Sequence, residues 1–165
     1  MYQFVVFLHI LAAIVWVGGL AFFALVAVPV ARRLPSAERA KLLADIGRRF
    51  RVVGWTCLGI LVVTGLYNAY SRGVTWEGLA SGQFFREQFG QLLTAKVVLV
   101  GVMLVVTALH DFVVGPASTR ATARGDAADP AEAAALRRRA SWLARLTTLL
   151  ALIVVALAVL LVRGL

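Results

Sequence analysis

Two histidines occur in this 165-residue chain, and both lie within apolar surroundings. His9 is set in Phe4-Val5-Val6-Phe7-Leu8-His9-Ile10-Leu11, and His110 is followed directly by Asp111. An ionisable side chain at membrane depth is costly and normally faces the protein interior, where it serves a function. An imidazole there can ligate a haem iron or a copper ion, or it can hold only a hydrogen bond. Few other side chains can share that work: Lys96, Asn68, Thr64 and Trp16 for His9, and Thr107, Arg49 and Arg51 for His110. Soft sulfur ligands are limited to Met1, Met103 and Cys57. That excludes a Met ladder or a Cys pair of the kind that lines many copper routes. A lone cysteine also forms no internal disulfide.

The elements that must position these residues follow from the apolar runs. Apolar residues make up 61% of the chain and the mean hydropathy is +0.88. These values point to an integral membrane protein with room for four spanning helices and no separate soluble domain. The runs predict spans at about 2–30, 52–70, 90–114 and 141–162. Leu42, Leu43, Ile46 and Phe50 recur at helical spacing among charges, so an amphipathic surface helix is expected at about 37–51, continuous with the second span and with Ser36 as its N-cap. The first run lacks a basic leader and is too long for a signal h-region, so it is expected to remain as a span. The stretch from Ser71 to Gln88 reads as an interfacial loop or short helix. Gly115-Pro116 should stop the third span, with a flexible linker from Ala117 to Ala128. Asp129-Pro130-Ala131-Glu132 then opens the last helix with a cap, a proline and an acid. Beyond Arg145 that helix is nearly all aliphatic and reads as scaffold. The expected fold is an all-α, integral membrane four-helix bundle in a single domain.

Charge orients the bundle. The net charge is +9, but the cations cluster beside apolar runs, where topology and anionic headgroups account for them, so nucleic acid is excluded as a partner. Arg32, Arg33, Arg39, Lys41, Arg48, Arg49 and Arg51 lie in the first connection, and Arg120, Arg124, Arg137, Arg138, Arg139 and Arg145 in or beside the third. The second holds only Arg72 and Arg86 against Glu77 and Glu87. Both termini are therefore predicted outside, in a bacterial-type inner membrane. At about 1.5 Å per residue, His9, Lys96, Thr64 and Asn68 then fall at one outer-leaflet depth, with Trp16 one layer deeper. His110 lies roughly 20 Å away, near the inner end, which disfavours one haem held by both histidines. It suits a separate inner cluster of His110, Asp111, Thr107 and Arg49 or Arg51, a second candidate metal site.

Plain structural readings compete at each position. His9 can be a hydrogen-bonded packing residue, Lys96 can snorkel, and Thr64 and Asn68 can join helices. Trp55, Trp76 and Trp142 read as interfacial anchors, and Arg49 and Arg51 as topology determinants. Gly18-Gly19, Gly54, Gly59 and Gly65 read as close helix packing.

Leu8-His9 followed by Trp16-Val17-Gly18-Gly19 resembles the first helix of the copper resistance D (CopD-like) membrane domain. Arg48-Arg49-Phe50-Arg51 with Thr64-Gly65-Leu66-Tyr67-Asn68-Ala69 resembles its second, and Phe89-Gly90-Gln91-Leu92-Leu93-Thr94-Ala95-Lys96 the opening of its third. The resemblance covers about Val5 to Asp111. A related pattern is similar to membrane protoporphyrinogen oxidases that bind haem b. That resemblance implies His9 as axial ligand, Lys96 as basic partner and Trp16 packed beside the site; the chain departs from it in the second half of the third helix and in the basic linker. The leading expectation is a haem b-binding protein of redox or electron transfer, and so an oxidoreductase in prospect. In it, Phe7, Ala12, Ala13 and Trp16 line the slot, and Lys96 pairs with a propionate or with the negative group of a quinone. Copper uptake or tolerance without haem is the alternative, and a membrane scaffold the third. The lipid bilayer is the common partner, with a redox partner or a homo-oligomer as further expectations.

Overall fold

A backbone surrounded by lipid must satisfy its own polar groups, and a run of apolar residues does so as helix. The computed structural model describes residues 1–123 and 129–163, and four of its helices are long and apolar enough to cross a membrane. In chain order the helices are α1 (Tyr2–Ala31), α2 (Ser36–Ser71), the short α3 (Trp76–Ala80), α4 (88–123) and α5 (Pro130–Arg163). No strand occurs among the described residues. The protein is an all-α, multi-pass membrane bundle. Its outer faces carry large apolar side chains such as Phe4, Ile14, Leu25 and Val63, which suits contact with lipid and not with water.

α1 packs along α2 and α4 along α5, while the segment Gly115–Ala123 joins the two pairs by packing on α2 and α5. The surface helix and the second span form one unbroken helix, α2, as their expected continuity requires. Its N-cap is Pro35, not Ser36: Pro35 is extended (φ −51°, ψ 152°) and its carbonyl accepts from Arg39 N–H at 2.9 Å. Its far end closes on Gly73 at φ +87°, with Val74 N–H donating to Ala69 O (3.2 Å) and Gly73 N–H to Tyr70 O (3.0 Å). This is a Schellman closure, which needs a left-handed residue at that point and so a glycine. The connection that follows contains α3, capped by the Thr75 hydroxyl, which accepts from Gly78 N–H at 3.2 Å. The start of α5 follows its sequence signature, with Asp129 Oδ1 accepting from Ala131 N–H at 2.9 Å.

The predicted stop at Gly115-Pro116 is not a stop. The helix passes through both residues and continues to Ala123, so the first part of the expected linker is helical. Arg124 and the 124–128 part of that linker lie outside the described residues. A proline inside a helix removes one hydrogen bond and presses on the carbonyl four residues back. Here a π turn at Leu109–Val114 precedes it, with Gly115 N–H donating to His110 O five residues back. α1 uses the same device before Pro29: a π turn at Phe23–Ala27, with Val28 N–H donating to Phe23 O. The widened turn absorbs the misfit, which a period of 3.6 cannot register.

Heptad steps order the interior. His9, Trp16 and Phe23 recur every seven residues along α1, and Thr64, Cys57 and Phe50 recur in the opposite direction along α2. Their pairs form layers: His9 bonds Thr64, Trp16 and Cys57 share the buried core, and the rings of Phe23 and Phe50 lie 5.2 Å apart. Gly19 has no side chain because a Cβ there would strike the Phe50 ring.

Candidate functional site

The first layer presents the outer candidate site. His9 Nδ1 lies 2.7 Å from Thr64 Oγ1. The Thr64 hydroxyl has one hydrogen, and it donates it to Ile60 O in the preceding turn of α2. Thr64 must therefore accept from His9, which places the imidazole proton on Nδ1. The lone pair is left on Nε2, which has no hydrogen-bond partner among the described residues. A ring nitrogen so held is oriented by its neighbour and free to accept a metal ion or a hydrogen bond. Gly65 lies beside the ring, a Cβ there standing 3.5 Å from His9 Cε1.

The other predicted residues divide. Lys96 of α4 is near enough for its charge to act on His9, and Arg72, at the end of α2, acts in turn on Lys96. Arg72 also donates to Leu161 O at 3.3 Å, which ties that end of α2 to α5. Asn68 lies one turn beyond Thr64, and its Oδ1 is buried with no partner. Trp16 is a core residue, 3% exposed, standing against Gly54. Of the expected apolar slot, Ala12 is buried but Phe7 is 60% exposed and turned outward. Phe7 faces away because its place on α1 is on the lipid side, which span-level arithmetic does not resolve.

The inner cluster forms with changed members. His110 Nδ1 lies 2.9 Å from Asp111 Oδ1, and Asp111 Oδ2 accepts from Trp55 Nε1 at 3.1 Å. Trp55 is thus a clamp on a carboxylate, not the interfacial anchor expected from its position near a span end. Trp76 and Trp142 are 82% and 68% exposed, as anchors would be. Arg51 joins the cluster, its guanidinium carbon 5.3 Å from the Phe112 ring centre, whereas Arg49 is exposed. Thr107 does not join: it is buried and donates to Met103 O of its own helix at 2.7 Å. The sequence signal for Trp55 was its position one turn from Arg51 on the same helix. Among the described residues, no three His, Cys, Asp or Glu side chains gather into one metal cage. Each end thus offers one oriented imidazole.

Fold and site together define a multi-pass helical membrane protein that carries histidine on its interior faces. The chain belongs to the copper resistance protein D (CopD) family, whose model matches residues 44–161. The match takes in Thr64, Asn68, Lys96, His110 and most of α5, and it begins after His9 and Trp16. An uncharacterised protein of Aquifex aeolicus (strain VF5) is 38% identical over 71 residues, 42% of this chain. The chain spans about half of that relative's length, 49%. No solved structure matches.

Proposed function

We propose that this CopD-family protein takes up or tolerates copper at the cell membrane, with His9 as the ligand at the outer end. The carrying observation is the pinned tautomer of His9, which leaves Nε2 with no hydrogen-bond partner among the described residues. Family membership supports copper as the cargo. The layer beneath supports it as well, because Cys57 and Met103 belong to one buried cluster and are soft donors suited to copper. The exposed Arg32, Arg33, Arg48, Arg49 and Arg120 lie at the opposite end from His9, which supports an outward-facing His9.

A second reading keeps haem b at His9, with redox or electron transfer as the role. One observation favours it: Lys96 and Arg72 bring positive charge to the site, which suits the acid groups of a porphyrin and opposes a bare cation. Bound there, a haem would supply one-electron chemistry, while this chain's part is to orient Nε2 and hold the acid groups at Lys96. One preparation in mild detergent separates the readings. The copper reading expects no Soret band and an equivalent of bound copper that His9→Ala removes. A Soret band lost in His9→Ala would overturn it in favour of haem.

A further inference from the structure

The inner end is built around an imidazole at greater cost than packing requires. Neighbours in sequence do not face each other on a regular α-helix. His110 and Asp111 do meet, at 2.9 Å, and they do so within the π turn Leu109–Val114. Such turns recur at functional sites. The approach of Gly115 to the His110 carbonyl is part of the same turn, since a Cβ on Gly115 would stand 2.8 Å from that oxygen.

Asp111 lies in a spanning helix, where a carboxylate is costly. Both of its oxygens are engaged, one by His110 and the other by Trp55 of α2. It makes no ion pair with Arg51 among the described residues; that guanidinium lies over the Phe112 ring, and its Nε is buried without a partner. The carboxylate charge is thus left to act on whatever His110 binds. When the carboxylate accepts from Nδ1–H, the neutral ring has its lone pair on Nε2, the nitrogen that a metal ion would take, as at His9. His110 and Asp111 keep 31% and 22% of their side-chain surface accessible, so a ligand can reach the ring.

We propose that His110 is a second copper site at the inner end of the bundle, with Asp111 as its positioning residue and Trp55 as the clamp on Asp111. A carboxylate–histidine pair is the arrangement that strengthens an imidazole as a metal ligand. Water or an exchanging donor completes the coordination. The site rests on the copper reading above for its cargo, but not on His9 for its geometry.

Titration of the full chain in detergent with copper(II) chloride tests it, read by copper stoichiometry and by tryptophan fluorescence, which bound copper(II) quenches at short range. Wild type is expected to take two equivalents. His110→Ala should take one and lose the quenching of Trp55, identified as the part absent in Trp55→Phe. His9→Ala should also take one and keep that quenching. Asp111→Asn should weaken the inner equivalent about 10–100-fold and leave the outer one unchanged. His110→Asn retains a donor towards Asp111 but has no Nε2. It should behave as His110→Ala, which covers the case in which the alanine variant fails to fold. One equivalent that responds to His110 and not to His9 would uphold this site and overturn the outer one. Stoichiometry and quenching unchanged in folded His110→Asn would overturn the proposal.

Discussion

The two ends of the bundle hold histidine by different means. At the His9 end the partner is a neutral hydroxyl on another helix, fifty-five residues away in sequence, and cations stand nearby. At the His110 end it is a carboxylate on the next residue, held in turn by Trp55 across the interface. In both arrangements Nδ1 is the nitrogen engaged, and Nε2 is the one left for a ligand. The electrostatic settings are opposite: positive around His9, and a carboxylate beside His110. A cation therefore meets an unfavourable charge at His9 and a favourable one at His110. The lesson is that orientation and charge are separable properties of a histidine site. A shared free nitrogen does not imply a shared ligand affinity.

Reversing the assignment of the ends would break this comparison altogether. A single cysteine at Ser81, in a Cys57→Ser background, should react fully with a membrane-impermeant maleimide added outside, and one at Ser36 should not react. The opposite pattern would exchange the two ends. Thr64→Val keeps the shape of the side chain and removes the acceptor for His9. Copper affinity at the outer site should fall about 10–100-fold, with the inner site unchanged, as read by titration. Gly115→Val acts at the other end, by forcing the π turn open around the His110 carbonyl. Thermal unfolding in detergent should show a loss of about 1–3 kcal/mol, and the Trp55 signal should change while outer binding persists. The smallest effect is expected at Lys96. Removing its charge in Lys96→Met should tighten copper at His9 several-fold, since the Lys96 ammonium acts on the His9 site as a like charge towards a bound cation. If affinity for copper falls instead, or a bound haem is lost, the positive charge serves an anionic group.

Much of the frame was legible because it depends on composition along short windows. Four apolar runs specify four helices, and Asp129-Pro130 marks a helix start through local bonds alone. His9 and Thr64 could be set at one depth because a helix advances by a constant rise. The errors share a cause. Gly115-Pro116 read as a stop because the π turn that accommodates the proline is a change in backbone period, invisible to residue type. Trp55 read as an anchor because its partner is on another helix. Phe7 was assigned to a slot because depth says nothing of which way a side chain turns.

By itself, the sequence determined the membrane class, the four apolar runs, the charge imbalance between connections and the short list of residues able to bind a metal. Those properties are local sums, and they do not depend on which helix lies beside which. Only the tertiary structure decided that Thr64 pins the His9 proton, that Asp111 is shared by His110 and Trp55, and that Asn68 Oδ1 is left buried and unpaired. The reason is range: a hydrogen bond is made or lost within a few tenths of an ångström, and between helices that distance is set by packing alone.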